Sequence, residues 1–168
     1  SIPIDLLAFF ATYLARPFRE KVSQLAAAQG AFDVWPMGYC PVCGLWARMG
    51  QVSAVEGQLS IWCIGCDHAW RFPRLRCPFC QERDSANLGY LKIDGTDRFR
   101  AYTCDTCRRY LKTITTPDTE KVDFDAEYLS SSRVDLTAGF EGYIQDFVGY
   151  AAFDMQDNAA SRTYRRKA

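Results

Sequence analysis

Apolar residues recur at helical spacing at the start of the chain, where Leu6, Phe9, Phe10, Tyr13 and Leu14 fall on one stripe. Asp5 is placed to cap a helix over 6–15, Pro17 suits the first turn of a second helix, and Gly30 offers a stop. The stripe reads as a core-packing face. From residue 40 the helical period gives way to short runs rich in aromatic and branched residues, at 59–62, 69–72, 88–93, 99–102 and 110–115. Glu56-Gly57 and Asp94-Gly95 mark hairpin turns between them. Helical character returns after Pro117, over 124–129 and from about 134 to 148. The last residues, 158–168, are polar, and Arg162, Arg165, Arg166 and Lys167 read as a solvated end.

The β region repeats itself. Cys40-Pro41-Val42-Cys43-Gly44 leads through a hairpin to Cys63-Ile64-Gly65-Cys66 and a short strand; Cys77-Pro78-Phe79-Cys80 leads through a second hairpin to Cys104-Asp105-Thr106-Cys107 and another strand. The first pairs lie 37 residues apart and the second pairs 41, so each module is one supersecondary unit. The expected organisation is a helical segment over 1–39, modules over 40–75 and 76–117, and a helical segment with a basic tail over 118–168. The fold class is α+β, with two tandem β modules flanked by helices.

Composition narrows the function. A chain of 168 residues that is 48% hydrophobic carries enough apolar material to fold. Lys plus Arg and Asp plus Glu both total 20, so no basic excess favours nucleic acid. The apolar run 6–14 is far short of the roughly 20 residues that span a bilayer. No basic n-region or small-residue cleavage site opens the chain, and Arg16 is followed by Pro17 rather than a second arginine. These features point to a cytoplasmic protein without membrane insertion, and a start at Ser1 without methionine suits a processed or excised chain. A homo-oligomer stays open.

All eight cysteines fall in Cys-x-x-Cys pairs with none left over, which argues for metal rather than a scattered disulfide framework. Two cysteines two residues apart put both sulfurs on one side of a tight turn, and a second pair across a hairpin completes four soft ligands. The intervals of 19 residues between Cys43 and Cys63 and 23 between Cys80 and Cys104 suit rubredoxin-like or zinc-ribbon sites. The predicted ligand sets are Cys40, Cys43, Cys63 and Cys66, and Cys77, Cys80, Cys104 and Cys107. Pairing within each module closes each site at low loop-closure cost, whereas crossed pairing leaves both hairpins without metal at their base. The two tetrathiolate ions are iron first and zinc as the alternative, since both accept the geometry.

Eight thiolates with two divalent ions shift the formal charge from zero to −4, and Arg71, Arg74, Arg76, Arg108, Arg109 and Lys112 are expected to compensate. His68, the only histidine, is expected at the surface or behind the ligands, because four sulfurs already close a tetrahedral site. A closed site leaves no coordination position for metal-activated water, and the sequence holds no nucleophile elbow, phosphate loop or His-Glu-x-x-His motif. The chain therefore reads as no enzyme. Trp46, Trp62, Trp70 and Tyr110 are candidate partner contacts whose commoner role is hairpin core.

These residues resemble the formate dehydrogenase accessory protein family. The likeness rests on Cys40-Pro41-Val42-Cys43-Gly44, Cys63-x-x-Cys66 with Trp70, Arg76-Cys77-Pro78-x-Cys80, and Cys104-x-x-Cys107 with Tyr110-Leu111-Lys112. It continues through the acidic segment 123–129 to Glu141-Gly142-Tyr143 and covers about 6–143. The resemblance implies a cytoplasmic maturation factor with two rubredoxin-like iron sites, acting on the catalytic subunit of respiratory formate dehydrogenase. Members of that family carry a longer helical N-terminal region than the 39 residues here. A rubredoxin-like electron carrier or redox sensor ranks second, and a zinc-ribbon nucleic-acid adaptor third.

Overall fold

The computed structural model describes residues 4–63, 65–93, 95–117 and 120–145. Two helices open it, α1 at Ile4–Leu14 and α2 at Arg16–Ala28. Pro17 stands in the first turn of α2, where its missing N–H costs nothing. Just beyond the end of α2, Gly30 takes a φ of +63°.

Six strands follow: β1 at Ala47–Ser53, β2 at Leu59–Cys63, β3 at Ala69–Arg71, β4 at Leu88–Ile93, β5 at Thr96–Cys104 and β6 at Arg109–Thr116. The predicted hairpins form at the expected places, β1 with β2 and β4 with β5. At the first turn, Ser53 Oγ accepts from the Val55 and Glu56 amides and Gly57 takes a φ of +67°.

The two modules do not stand apart. β1 and β6 pair in parallel, from Met49 opposite Lys112 to Ser53 opposite Thr116, which joins both modules in one sheet of order β3-β2-β1-β6-β5-β4. β1 and β6 are the central strands, and β6 is buried along nearly its whole length. One core cluster contains Leu45, Trp46, Leu59, Ile61, Trp70 and Phe72 of the first module with Phe79 and Leu111 of the second.

Two further helices, α3 at Phe124–Ser130 and α4 at Ser132–Phe140, cover the sheet. Asp123 caps α3 by accepting from the Ala126 amide. Val134 and Ala138, four residues apart, bury one face of α4 against Ile93, Ala101 and Tyr110. α4 ends at Phe140, short of the predicted 148: Gly142 turns the chain at a φ of +75°, and Ile144 then bridges to Arg109 in the sheet. Residues 146–148 of that predicted helix, and the basic tail, lie outside the described residues.

The N-terminal stripe is a second correction. Leu6, Phe10 and Tyr13 are exposed, Leu14 is 74% exposed and Phe18 77%. Polar contacts of α2 tie it to the rest of the protein. Arg16 bonds Glu20 and Asp67 at 2.6 Å and Asp125 at 3.0 Å, and Ser23, the buried residue of α2, meets His68.

Lys112 is also not where charge balance placed it. It is 1% exposed, and its Nζ meets Asp135 Oδ2 at 2.6 Å and the Tyr128 ring at 3.8 Å. Tyr110 donates to Asp135 Oδ1 at 2.6 Å, so one carboxylate of α4 binds two side chains of β6. Burial, followed by the bond to Asp135, pushes the Tyr110 phenol above its usual value. Asp135→Ala leaves the buried Lys112 ammonium without its counter-charge, held by the Tyr128 carbonyl and ring and Ser131 Oγ, and is expected to destabilise the protein by about 3 kcal/mol. Lys112→Met should cost less, because it leaves behind a carboxylate that reaches solvent. Urea denaturation checks both, and a D135A loss below about 0.5 kcal/mol would refute the anchoring role.

Candidate metal centres

All four Cys-x-x-Cys turns share one backbone design. In each, the residue after the second cysteine has positive φ: Gly44 at +75°, Asp67 at +52°, Gln81 at +63° and Arg108 at +57°. The Gly44, Gln81 and Arg108 amides close the turn onto the carbonyls of Cys40, Cys77 and Cys104. The first cysteine of three turns donates its own amide five residues ahead, Cys40 to Leu45, Cys63 to His68 and Cys77 to Glu82, while Cys104 pairs with Arg109 in the sheet. Inside the first two turns an amide also reaches sulfur: Val42 N–H donates to Cys40 Sγ at 3.3 Å and Gly65 N–H to Cys63 Sγ at 3.2 Å. Only the first turn carries the glycine that such a bend favours, so the other three hold side chains in a costlier conformation.

The first turn of each module precedes its hairpin and the second follows it, so each hairpin brings its two turns together. The sulfurs of Cys40, Cys43, Cys63 and Cys66 lie within 4.8 Å of one another, as do those of Cys77, Cys80, Cys104 and Cys107. The clusters thus form within modules, as loop closure predicts. The close sulfur pairs are Cys40–Cys66 at 3.5 Å, Cys43–Cys63 at 3.2 Å, Cys77–Cys107 at 3.7 Å and Cys80–Cys104 at 3.6 Å. A tetrahedron with metal–sulfur bonds of about 2.3 Å has sulfur–sulfur edges of about 3.8 Å, so both sets fit a four-thiolate ion. A disulfide requires about 2.05 Å, and all eight cysteines are free.

Within each cluster the thiols differ in acidity. Cys43 is held well below the usual thiol range by hydrogen bonds from Cys40 and then Cys63, and Cys104 by those from Cys107 and then Cys77. Cys66 and Cys107 are pushed up, chiefly by their bonds to Cys40 and Cys104, and burial raises Cys63. Four adjacent sulfurs cannot all ionise on their own, and a bound cation reverses that balance. Cys43, Cys80 and Cys107 are half-buried and the other five are buried.

His68 is 2% exposed, not at the surface, and it lies outside both sulfur sets. Its Nδ1 meets Ser23 Oγ at 3.2 Å and its ring stacks on Trp70, so it fastens α2 to the first module. Burial pushes its pKa down. Among the expected balancing cations, the Arg109 guanidinium lies over the Phe79 ring of the third turn at 5.7 Å. Arg74 and Arg76 instead bond the carbonyls of Gly57 and Pro36, and Arg108 bonds Asp105 and the Glu141 carbonyl. Trp46, Trp62, Trp70 and Tyr110 are all buried, which fits hairpin core.

Comparison with known proteins agrees with this architecture. Residues 75–150, which hold the second cluster, match the family model described as FdhE, C-terminal domain. The Protein FdhE of Escherichia coli O1:K1 is 31% identical over 113 residues, 66% of this chain, and that of Shigella boydii serotype 18 is equally similar. A crystal structure of the FdhE protein from Pseudomonas aeruginosa superposes with a TM-score of 0.62 at 26% identity over 73% of this chain. The chain belongs to the FdhE family. It spans 36% of the length of those curated FdhE relatives and 44% of the FdhE crystal chain.

Two closed sulfur sets should take up two ions per chain. Elemental analysis of protein purified anaerobically under reducing conditions is expected to give two, with release as acid protonates the thiolates. One ion, or four disulfides, would refute the assignment of eight ligands.

Proposed function

We propose that this chain is a non-enzymatic, metal-binding maturation factor, holding one ion in each cluster through all eight cysteines. It acts in the cytoplasm on the catalytic subunit of a molybdenum or tungsten formate dehydrogenase before assembly or export. The observation that carries this reading is the pair of four-sulfur clusters built into one sheet of an FdhE-family chain. Segments 40–75 and 76–117 are then the metal modules, and 1–39 and 118–168 their helical flanks. The ions are iron, with zinc as the alternative that the same sulfur geometry accepts.

A tetrathiolate ion has no open position for substrate or activated water, so its contribution is to fix the shape of the modules. A structural ion of this kind adds on the order of 10 kcal/mol of folding free energy. The helix pair offers a partner protein apolar side chains to cover, since Leu6, Phe10, Leu14 and Phe18 are each exposed.

The test is deletion of the gene with assay of formate dehydrogenase activity and precursor abundance, followed by complementation. Wild type should restore activity and a variant changed at Cys77 and Cys80 should not. Full activity in the deletion strain, with the enzyme expressed and no paralogue present, would overturn the maturation role. An absorption spectrum separates coloured ferric tetrathiolate from silent zinc.

A further inference from the structure

The two clusters are not merely neighbours in sequence, because their cysteine turns pack directly on one another. Gly38, two residues before Cys40, lies flat against Pro78, between Cys77 and Phe79. A methyl group at Gly38 would overlap the Pro78 carbonyl, lying 2.5 Å from its carbon and 2.6 Å from Pro78 Cβ. This is backbone on backbone, with no flexible side chain to give way. Gly38 belongs to the stem of the first turn, since its carbonyl accepts from the Ala47 amide and Tyr39 bridges to Trp46.

The other side of that stem makes the second contact. The Trp46 and Phe79 rings meet at 5.6 Å between centroids, and Phe79 stands between Cys77 and Cys80. Arg76, the residue before Cys77, donates to the Pro36 carbonyl at 3.1 Å. Cys40, Cys63, Cys66, Cys77 and Cys104 consequently belong to a single hydrophobic core that contains both rings.

We propose that the two clusters load metal as a coupled pair, an ion at either one raising the affinity of the other through the contact of Gly38 and Trp46 with Pro78 and Phe79. This inference rests on the reading that each cluster holds an ion. An ion in the first cluster fixes the Cys40–Cys43 turn and therefore the stem carrying Gly38 and Trp46. That stem is the surface on which the Cys77–Cys80 turn leans, so ordering it once serves both binding events. Linkage makes the effect reciprocal: the second cluster assists the first by the same factor.

The experiment is anaerobic titration of the reduced, metal-free full chain with Zn2+, read by native mass spectrometry. Independent equal sites leave about half of the chains with a single ion at half saturation, whereas a coupling of roughly tenfold or more depletes that species strongly. Depletion in wild type is the expected result. Phe79→Leu keeps all eight sulfurs and should still bind two ions at saturation, but with the single-ion species restored towards the independent proportion. Val134→Ala, a buried change in the separate cluster beneath α4, controls for general loss of stability and should leave the wild-type distribution unchanged.

A wild-type population at or above the independent proportion overturns the coupling, and equal behaviour of F79L and V134A overturns the route through the turns. Fewer than two ions at saturation in wild type would instead overturn the reading of eight ligands, so the two failures are distinguishable. Gly38→Ala, which pushes the turns apart, is expected to lower the affinity of both sites together. Loss at the first cluster alone would also count against the coupling.

Discussion

Four sulfur atoms brought within 4.8 Å of one another are the constraint from which this architecture follows. Thiolates at that separation repel, and a cation held among them would remove the repulsion. The hairpins place their turns to suit it, with both turns of each module at the same end. Most of the sulfur atoms lie in the principal core rather than at its edge, beside Trp46, Trp70 and Phe79. The residues that would hold an ion are therefore also residues that pack the core.

Much of this was legible from residue spacing. Four Cys-x-x-Cys pairs in two repeated intervals indicated which four sulfurs meet in each cluster, and Gly57 marked its hairpin turn because only certain residues fit it. The left-handed bend after each second cysteine was legible at Gly44 alone. Asp67, Gln81 and Arg108 carry no such mark, since the ladder and amide bonds around them impose a conformation they do not themselves favour.

Other features depended on partners distant in sequence. The parallel pairing of β1 with β6 left no trace in either strand, because strand pattern states which residues are buried and not which strand lies alongside. Lys112 was misplaced for a related reason, since its polar partner Asp135 lies on another element, and of the two places expected for His68 the buried one, behind Cys63, is found, with Ser23 of α2 as its side-chain partner. Apolar periodicity predicted burial for α1, where Leu6, Phe10, Tyr13 and Leu14 are exposed, while α2 makes polar contacts through Arg16 and Ser23.

The parallel pair also sets an order of events as the chain emerges from the ribosome. Both hairpins are local and can form as soon as their own residues are available, but β1 finds its second neighbour only when residues 112–116 have been synthesised. Until then the middle of the future sheet is an open edge, although the stem of the first cysteine turn can already rest on Pro78 and Phe79. A ribosome that stalls within this interval thus holds a finished hairpin with an adhesive flank, the kind of intermediate for which nascent-chain chaperones compete.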